Sequence, residues 1–226
     1  MPAPKKDVLI GFFMAEFGGS LGGDGTTYME KLWGQVEKGW QTWQEETKFG
    51  GLIVVGAGGW AGVGNGGKVI PAKFEIPEFG FEQDTPEVKK FTKAMSDAID
   101  IHFEIWAGSF TFSGAPYAGS SSHGGDSSGG FKAEPVPTPI IACGNGTNPS
   151  GLAATIDSFL TPPEFTLSTP ECKAQDFTKA VGGAIEKAFQ NTWLTSTMIT
   201  KNTVKGPAAS GSGSGAGTSL TNGEFL

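Results

Sequence analysis

The chain contains no arginine: its sixteen basic residues are all lysine, and they face twenty-three acids for a net charge of −7. Arginine presents a planar fork that matches phosphates and base edges in pairs, so its absence and the acidic balance argue against nucleic acid as a partner. A lightly acidic surface suits solubility or contact with other protein. Cysteine and histidine are scarce as well. Cys143 and Cys172 stand twenty-nine residues apart, with only His102 and His123 to join them, and this provides no close ligand pair for zinc. The two cysteines are expected either as buried free thiols or as a disulfide tying a helix to the loop before it. No apolar run approaches the ~20 residues of a membrane span. Lys5 and Lys6 ahead of the run from Val8 to Ala15 sketch a signal peptide, but Asp7 sits at its edge and no small-residue cleavage site follows. The expectation is a soluble protein made in the cytoplasm, with no cofactor.

Glycine is abundant. With 36 Gly and 14 Pro, roughly a fifth of the chain favours loops or extended backbone, well above the usual share. Between these stretches one plan recurs. Residues 27–43 read TYMEKLWGQVEKGWQTW, residues 85–106 read TPEVKKFTKAMSDAIDIHFEIW, and residues 169–193 read TPECKAQDFTKAVGGAIEKAFQNTW. In each, an aromatic (Tyr28, Phe91, Phe177) is followed twelve residues later by another (Trp40, Phe103, Phe189), and a tryptophan (Trp43, Trp106, Trp193) stands about a turn beyond. Three short matches, Pro-Glu-Phe, Thr-Pro-Glu and Phe-Thr-Lys-Ala, recur in order from Pro77 and again from Pro163. This is the mark of duplication, with the first copy the most divergent.

Each copy predicts an amphipathic helix, because its apolar residues return at three- and four-residue spacing. Thr27 and Glu30 fit a capping box at the start of the first helix, in which Gly34 and Gly39 each weaken helix formation by about 1 kcal/mol relative to alanine. Thr85 is the expected N-cap of the second, with Pro86 at the first helical position. His102 falls on the apolar face of that helix and reads as a core or interface histidine. Ahead of the helices, the burst from Val8 to Phe17 predicts a strand or short helix packed on another element or on another subunit. Leu52 to Val55 predicts a short strand among glycines. Residues 68–84, with Pro71 and Pro77, predict an extended connector or edge strand, and Ser109 to Ser113 a short strand. Gly114 to Gly130 predicts a mobile loop, Leu152 to Leu160 a short amphipathic segment, and Thr195 to Thr200 a β-prone one. From Gly206 onward the composition predicts a flexible Gly/Ser tail.

No chemistry-bearing constellation stands out. Gly56-x-Gly58 follows an apolar run, but no helix follows and no acid ends a second strand, the context a dinucleotide fingerprint needs. Ser122, His123 and Asp126 share a Ser/Gly loop that offers no rigid scaffold for a triad. Asn145-Gly146-Thr147 matches a glycosylation sequon, which without export carries no weight. The chain is not expected to be an enzyme.

The unit F-x-K-A-(M/V)-x-x-A-I-x-x-x-F-x-x-W, with a glycine-rich apolar stretch and a Pro-x-Pro segment after it, resembles repeats of structural proteins in tailed bacteriophage virions. That resemblance covers residues 27–207 and implies a non-enzymatic part of a neck, tail or baseplate, located in the virion after synthesis in host cytoplasm. The implied partners are other copies of the chain and other virion proteins in a symmetric homo-oligomer, with no nucleic acid and no membrane. The expected fold is α+β: internally repeated amphipathic helices joined by Gly/Pro-rich loops and short strands. Its expected divisions are an apolar arm (1–26), a first repeat with connector (27–84), a second repeat with its Gly/Pro loop (85–151), a third repeat (152–205) and the tail (206–226). Tyr28, Trp40, Trp43, Phe91, Phe103, Trp106, Phe177, Phe189 and Trp193 are the expected packing and interface residues, within one bundle or against neighbouring chains. A second reading is a secreted or surface module, such as a carbohydrate-binding adhesin, that would use Trp60 and Tyr117.

Overall fold

The computed structural model describes residues 3–57, 61–80, 82, 85–109, 111–121, 130–135, 144–145, 151–160, 174–193, 199–200, 204–207, 215–219 and 223–225. The fold is α+β. Helices α1 (Lys6–Phe17), α2 (Gly23–Glu46), α3 (Pro86–Ser109), α4 (Leu152–Phe159) and α5 (Ala174–Ala188) form one layer, and α5 ends in a π-helical turn, Phe189–Trp193. The strands are β1 (Lys48–Ala57), β2 (Ala61–Ile70), β3 (Thr111–Ser121), β4 (Gly130–Pro135), β5 (Gly144–Asn145), β6 (Ile199–Thr200), β7 (Val204–Pro207), β8 (Gly215–Ser219) and β9 (Gly223–Phe225).

The three long aromatic helices run parallel and meet at matching heights. Near their starts the Tyr28 hydroxyl lies 3.1 Å from that of Thr92, and the rings of Phe91 and Phe177 are 5.4 Å apart. About three turns later Trp40, Phe103 and Phe189 form a closed triangle, with ring centroids 4.9, 5.6 and 6.0 Å apart. Trp43 and Trp106 follow, 6.1 Å from each other. Four of the six tryptophans, Trp33, Trp40, Trp43 and Trp106, have no exposed surface. Burying rings of this size provides much of the apolar stabilisation available to a small bundle.

Each groove between neighbouring inner helices is covered by a further segment. Helix α1 lies over α5 and α2: Phe13 touches both Phe177 (5.3 Å) and Trp33 (6.1 Å). The Lys6 backbone N–H donates to the Glu37 carboxylate at 2.8 Å, and Lys187 pairs with Glu16. Residues 71–80 cover α2 and α3 in extended form and run against the direction of α3. There the Phe74 N–H donates to Asp100 Oδ1 at 2.6 Å and the Ile76 N–H donates to Ser96 Oγ at 3.1 Å. Helix α4 covers α3 and α5, held by the Leu152 N–H on Glu186 Oε1 at 2.9 Å.

Two helical glycines make these close crossings feasible. A Cβ on Gly39 would sit 2.3 Å from the Glu75 carbonyl oxygen, and one on Gly182 would sit 2.6 Å from the Ala153 nitrogen. Gly34 meets only Lys6 Cδ, at 3.8 Å, so it has no such role.

Six strands pair into a closed antiparallel circuit. β1 pairs with β2, β2 with β3, β3 with β4, β4 with β7, β7 with β8, and β8 returns to β1 through Ile53 opposite Thr218 and Val55 opposite Ala216. β9 and β6 extend the start of β1, and β5 pairs with the start of β3. Closure leaves the six strands no free edge along their paired stretches.

Several expectations need correction. The first helix begins at Gly23, with Gly22 as N-cap, and the Thr27 hydroxyl donates back to the Gly23 carbonyl at 3.1 Å, so Thr27 and Glu30 make no capping box. The single short strand at Leu52 to Val55 is one arm of a ten-residue hairpin pair. Residues 114–121 are strand rather than loop: β2 pairs with Ala115 to Ala118 and β4 with Tyr117 to Ser121. The tail does not hang free: Gly206 to Pro207, Gly215–Ser219 and Gly223–Phe225 are strands of the sheet. Phe225 pairs with Ile199 of the same chain, and the arm at 1–26 is the α1 cover of the bundle. Of the segment at Thr195 to Thr200 only Ile199 and Thr200 lie within the described residues, and they form β6.

Candidate functional site

The residues singled out by the repeat lie mainly inside the chain's own bundle. Trp40, Trp43, Phe91, Phe103, Trp106, Phe177 and Phe189 are all buried there, and Tyr28 is half-buried against Phe79 at 5.9 Å. Trp193 closes the π-helical turn, and its side chain lies outside the described residues. The aromatic faces are thus buried within one chain. Exposed apolar side chains include Ile101 (38% exposed) and Ile105 (53%), one turn apart on α3, and Phe159 (43%), which ends α4.

His102 is the one buried histidine among the described residues, and it links α3 to α4. Its Nε2 lies 2.9 Å from Thr155 Oγ1, and that hydroxyl also stands 3.3 Å from the Gly151 carbonyl; the imidazole tautomer decides whether Nε2 or the hydroxyl is the donor between them. Burial holds the imidazole below its ordinary value, against a smaller opposing pull from the Glu186 carboxylate. This is a structural histidine at a helix crossing.

Two surface grooves lie among the described residues. One of about 390 Å³ opens between α1 and the start of α2, lined chiefly by Ile10, Phe13, Met14, Leu21 and Met29. A second of about 660 Å³ runs beside residues 73–80 and α3. Two ion pairs lie along it, Lys73 to Glu75 at 2.5 Å and Lys93 to Asp97 at 2.6 Å. The Glu75 carboxylate holds the Lys73 ammonium above its usual range, as expected for a paired cation. At the start of α3, the Glu87 carboxyl is lowered by its own backbone N–H and by the Thr85 hydroxyl, and Val88 N–H donates to Thr85 Oγ1 at 3.4 Å. That is the cap expected from Thr85 and Pro86.

Among the described residues no group of three or more His, Cys, Asp or Glu lies together, and no helix is long and apolar enough to cross a membrane. Cys143, Cys172, Ser122, His123, Asp126 and Trp60 lie outside the described residues; Tyr117 is placed only as backbone, opposite Gly62. Sequence reasoning passed over Ser96 and Asp100, the pair that anchors the 71–80 connector. Their spacing of four, on the flank of the apolar stripe, was the available signal. No protein-family model matches the chain, no curated protein is similar to it, and no solved structure matches its fold.

Proposed function

We propose that the chain is a non-enzymatic structural component of a tailed-phage virion, in the neck, tail or baseplate, built from three copies of one helix-bearing unit. The observation that carries this reading is the triangle of Trp40, Phe103 and Phe189. Positions that match in the three sequence copies occupy matching places around one axis, as they would in three copies of a self-associating unit. The resemblance of that unit to repeats of virion structural proteins supplies the setting. A closed strand circuit on an aromatic bundle suits a part that carries load and holds its shape. Its contacts with other copies and with other virion proteins fall on the outer surface, because the aromatic faces are occupied internally. The test is mass spectrometry of purified particles from a phage that encodes the chain, with labelled antibody located by negative-stain microscopy. Stoichiometric presence at the neck, tail or baseplate is expected, and absence from intact particles would remove the reading.

A further inference from the structure

Each cover is fastened by a carboxylate of the inner helix that follows it. Glu37 of α2 accepts from the Lys6 N–H of α1 at 2.8 Å, Asp100 of α3 from the Phe74 N–H at 2.6 Å, and Glu186 of α5 from the Leu152 N–H of α4 at 2.9 Å. The three acids hold one place in the repeat, nine residues after Tyr28, Phe91 and Phe177. Each unit thus closes on itself through a carboxylate latch. In α1 and α4 the latched N–H belongs to the first residue of the helix, one of the donors that a helix leaves without an internal partner.

Two residues further along the repeat the three copies differ. They carry Gly39, His102 and Ala188 there, each just ahead of the ring that enters the triangle. This position meets the cover of another unit: a Cβ on Gly39 would touch Glu75 of the 71–80 cover, and His102 touches Thr155 of α4. Of the three residues only the histidine titrates. The latch of α4 is therefore the one with an ionisable group at this place.

We propose that α4 is an acid-operated cover: protonation of His102 opens the Glu186 latch and lifts α4 out of the groove between α3 and α5, while α1 and residues 71–80 stay in place. The imidazole lies 2.9 Å from Thr155 Oγ1, in the first turn of α4. Protonated, it sets a full positive charge in a buried site against the positive end of the α4 dipole. Glu186 then faces two positive groups, the imidazolium and the Leu152 N–H, and its attraction to the first weakens its hold on the second. Among the described residues Glu186 is the charged group of α5 that acts on the ring, and Lys187 beside it pairs with Glu16 of α1 instead. Helix α4 has one charged side chain, Asp157, which is exposed, and the α3 residues one turn from His102 are Ala98, Ile99, Ile105 and Trp106. Release uncovers Leu152 and Ile156, neither of which has exposed surface in the closed molecule.

The direction follows from linkage. Burial holds the closed-state pKa of His102 below 6.5, and release returns the ring to water, so the open form takes up the proton first. The ratio of open to closed α4 rises by up to about tenfold per pH unit below about 6.5, and levels once the closed form also binds the proton. Above about pH 6.5 the effect fades.

The test is amide hydrogen exchange of the full-length chain at pH 7.5, 6.5 and 5.5, a window above the ordinary carboxyl range, with rates corrected for the intrinsic effect of pH. Protection across residues 152–159 is expected to fall by up to about tenfold between pH 7.5 and 5.5, most of it below 6.5, while Lys6–Phe17 and residues 71–80 keep theirs. His102→Gln should hold α4 at one level of protection throughout, and Glu186→Ala should lower it at every pH. Protection of α4 that ignores pH, a fall shared equally by the three covers, a slope that survives in His102→Gln, or an α4 still fully protected in Glu186→Ala overturns the inference. The comparison of the three covers within the unaltered chain decides it even where a variant does not fold.

Discussion

Replacing Gly39 with alanine sets two effects of known sign against each other. In an exposed helix the change is favourable by about 1 kcal/mol, because alanine is the better helix former. At Gly39 the new methyl would stand 2.3 Å from the Glu75 carbonyl oxygen, 3.3 Å from its carbon and 3.4 Å from Phe74 Cζ. The nearest group is backbone, so relief requires the 71–80 connector to move by about an ångström. That connector is fixed by the 2.6 Å bond from Phe74 N–H to Asp100 and by the Phe74 ring, which is buried against Phe103 at 5.4 Å. Overpacking of this kind costs about 1–3 kcal/mol, and straining a hydrogen bond to a charged group adds about 1.5–3 kcal/mol if it breaks. After the gain in helix propensity, a net loss of about 2–4 kcal/mol remains. For a chain of this length that lowers Tm by roughly 4–16 °C, at about 2–4 °C per kcal/mol. Gly34 is the internal control: the same helix and the same substitution, but only Lys6 Cδ at 3.8 Å. Gly34→Ala should raise Tm by roughly 2–4 °C, reflecting a gain of up to about 1 kcal/mol. Thermal melts of the two variants followed by circular dichroism decide the matter. If both move in the same direction, the close approach at Gly39 is not what the glycine is for.

Three further outcomes follow from the packing. Phe103→Ala removes the ring shared by Trp40, Trp43, Phe74 and Phe189 and should cost about 3–5 kcal/mol in a urea titration; a loss below about 1 kcal/mol would mean the bundle is not close-packed there. Gly182→Ala should loosen α4, read as faster amide exchange across residues 152–159, since its methyl would press on the Ala153 backbone at 2.6 Å. His102 has a folded-state pKa below its ordinary value of 6.5, so the unfolded chain takes up the proton first. Stability should therefore be level above about pH 6.5 and fall as the pH drops toward the depressed value. Urea midpoints between pH 5 and 8 should show that slope for the native chain and a flatter one for His102→Gln; a midpoint that rose on acidification would contradict the sign.

The helices were legible because their burial follows a period the sequence displays: Phe91, Met95, Ala98, His102 and Trp106 trace one stripe, and all are buried. The start of α3 was legible from Thr85 and Pro86 because capping is a local act. The start of α2 was not, since Gly22 offers no side chain to recognise and Thr27 bonds backward into the helix instead of capping it. The strand circuit was hidden for a different reason. Its strands are rich in Gly and Ser, as in Gly215–Ser219, and carry no regular apolar alternation. Their partners also lie far off in sequence, as with Ile53 and Thr218. Composition that reads as linker becomes strand once paired neighbours on both sides satisfy the backbone. The packing residues were identifiable by type and spacing, whereas their enclosure within a single chain depended on the returning segments, which the periodicity does not encode.

The seam at which the strand circuit closes also sets the order in which the chain can be made. β1 leaves the ribosome long before its second neighbour, β8, which is formed by residues 215–219. Until then β1 and β4 each present an unpaired edge in a nascent chain whose first helices already carry large apolar faces. Joining residues so distant in sequence is slow, because loop closure must be achieved before the contact stabilises anything. The vulnerable period therefore lasts until residues 215–219 have emerged, while an exposed strand edge invites pairing with another unfinished copy. Chains truncated before residue 215 should accumulate as aggregates rather than as shortened soluble protein.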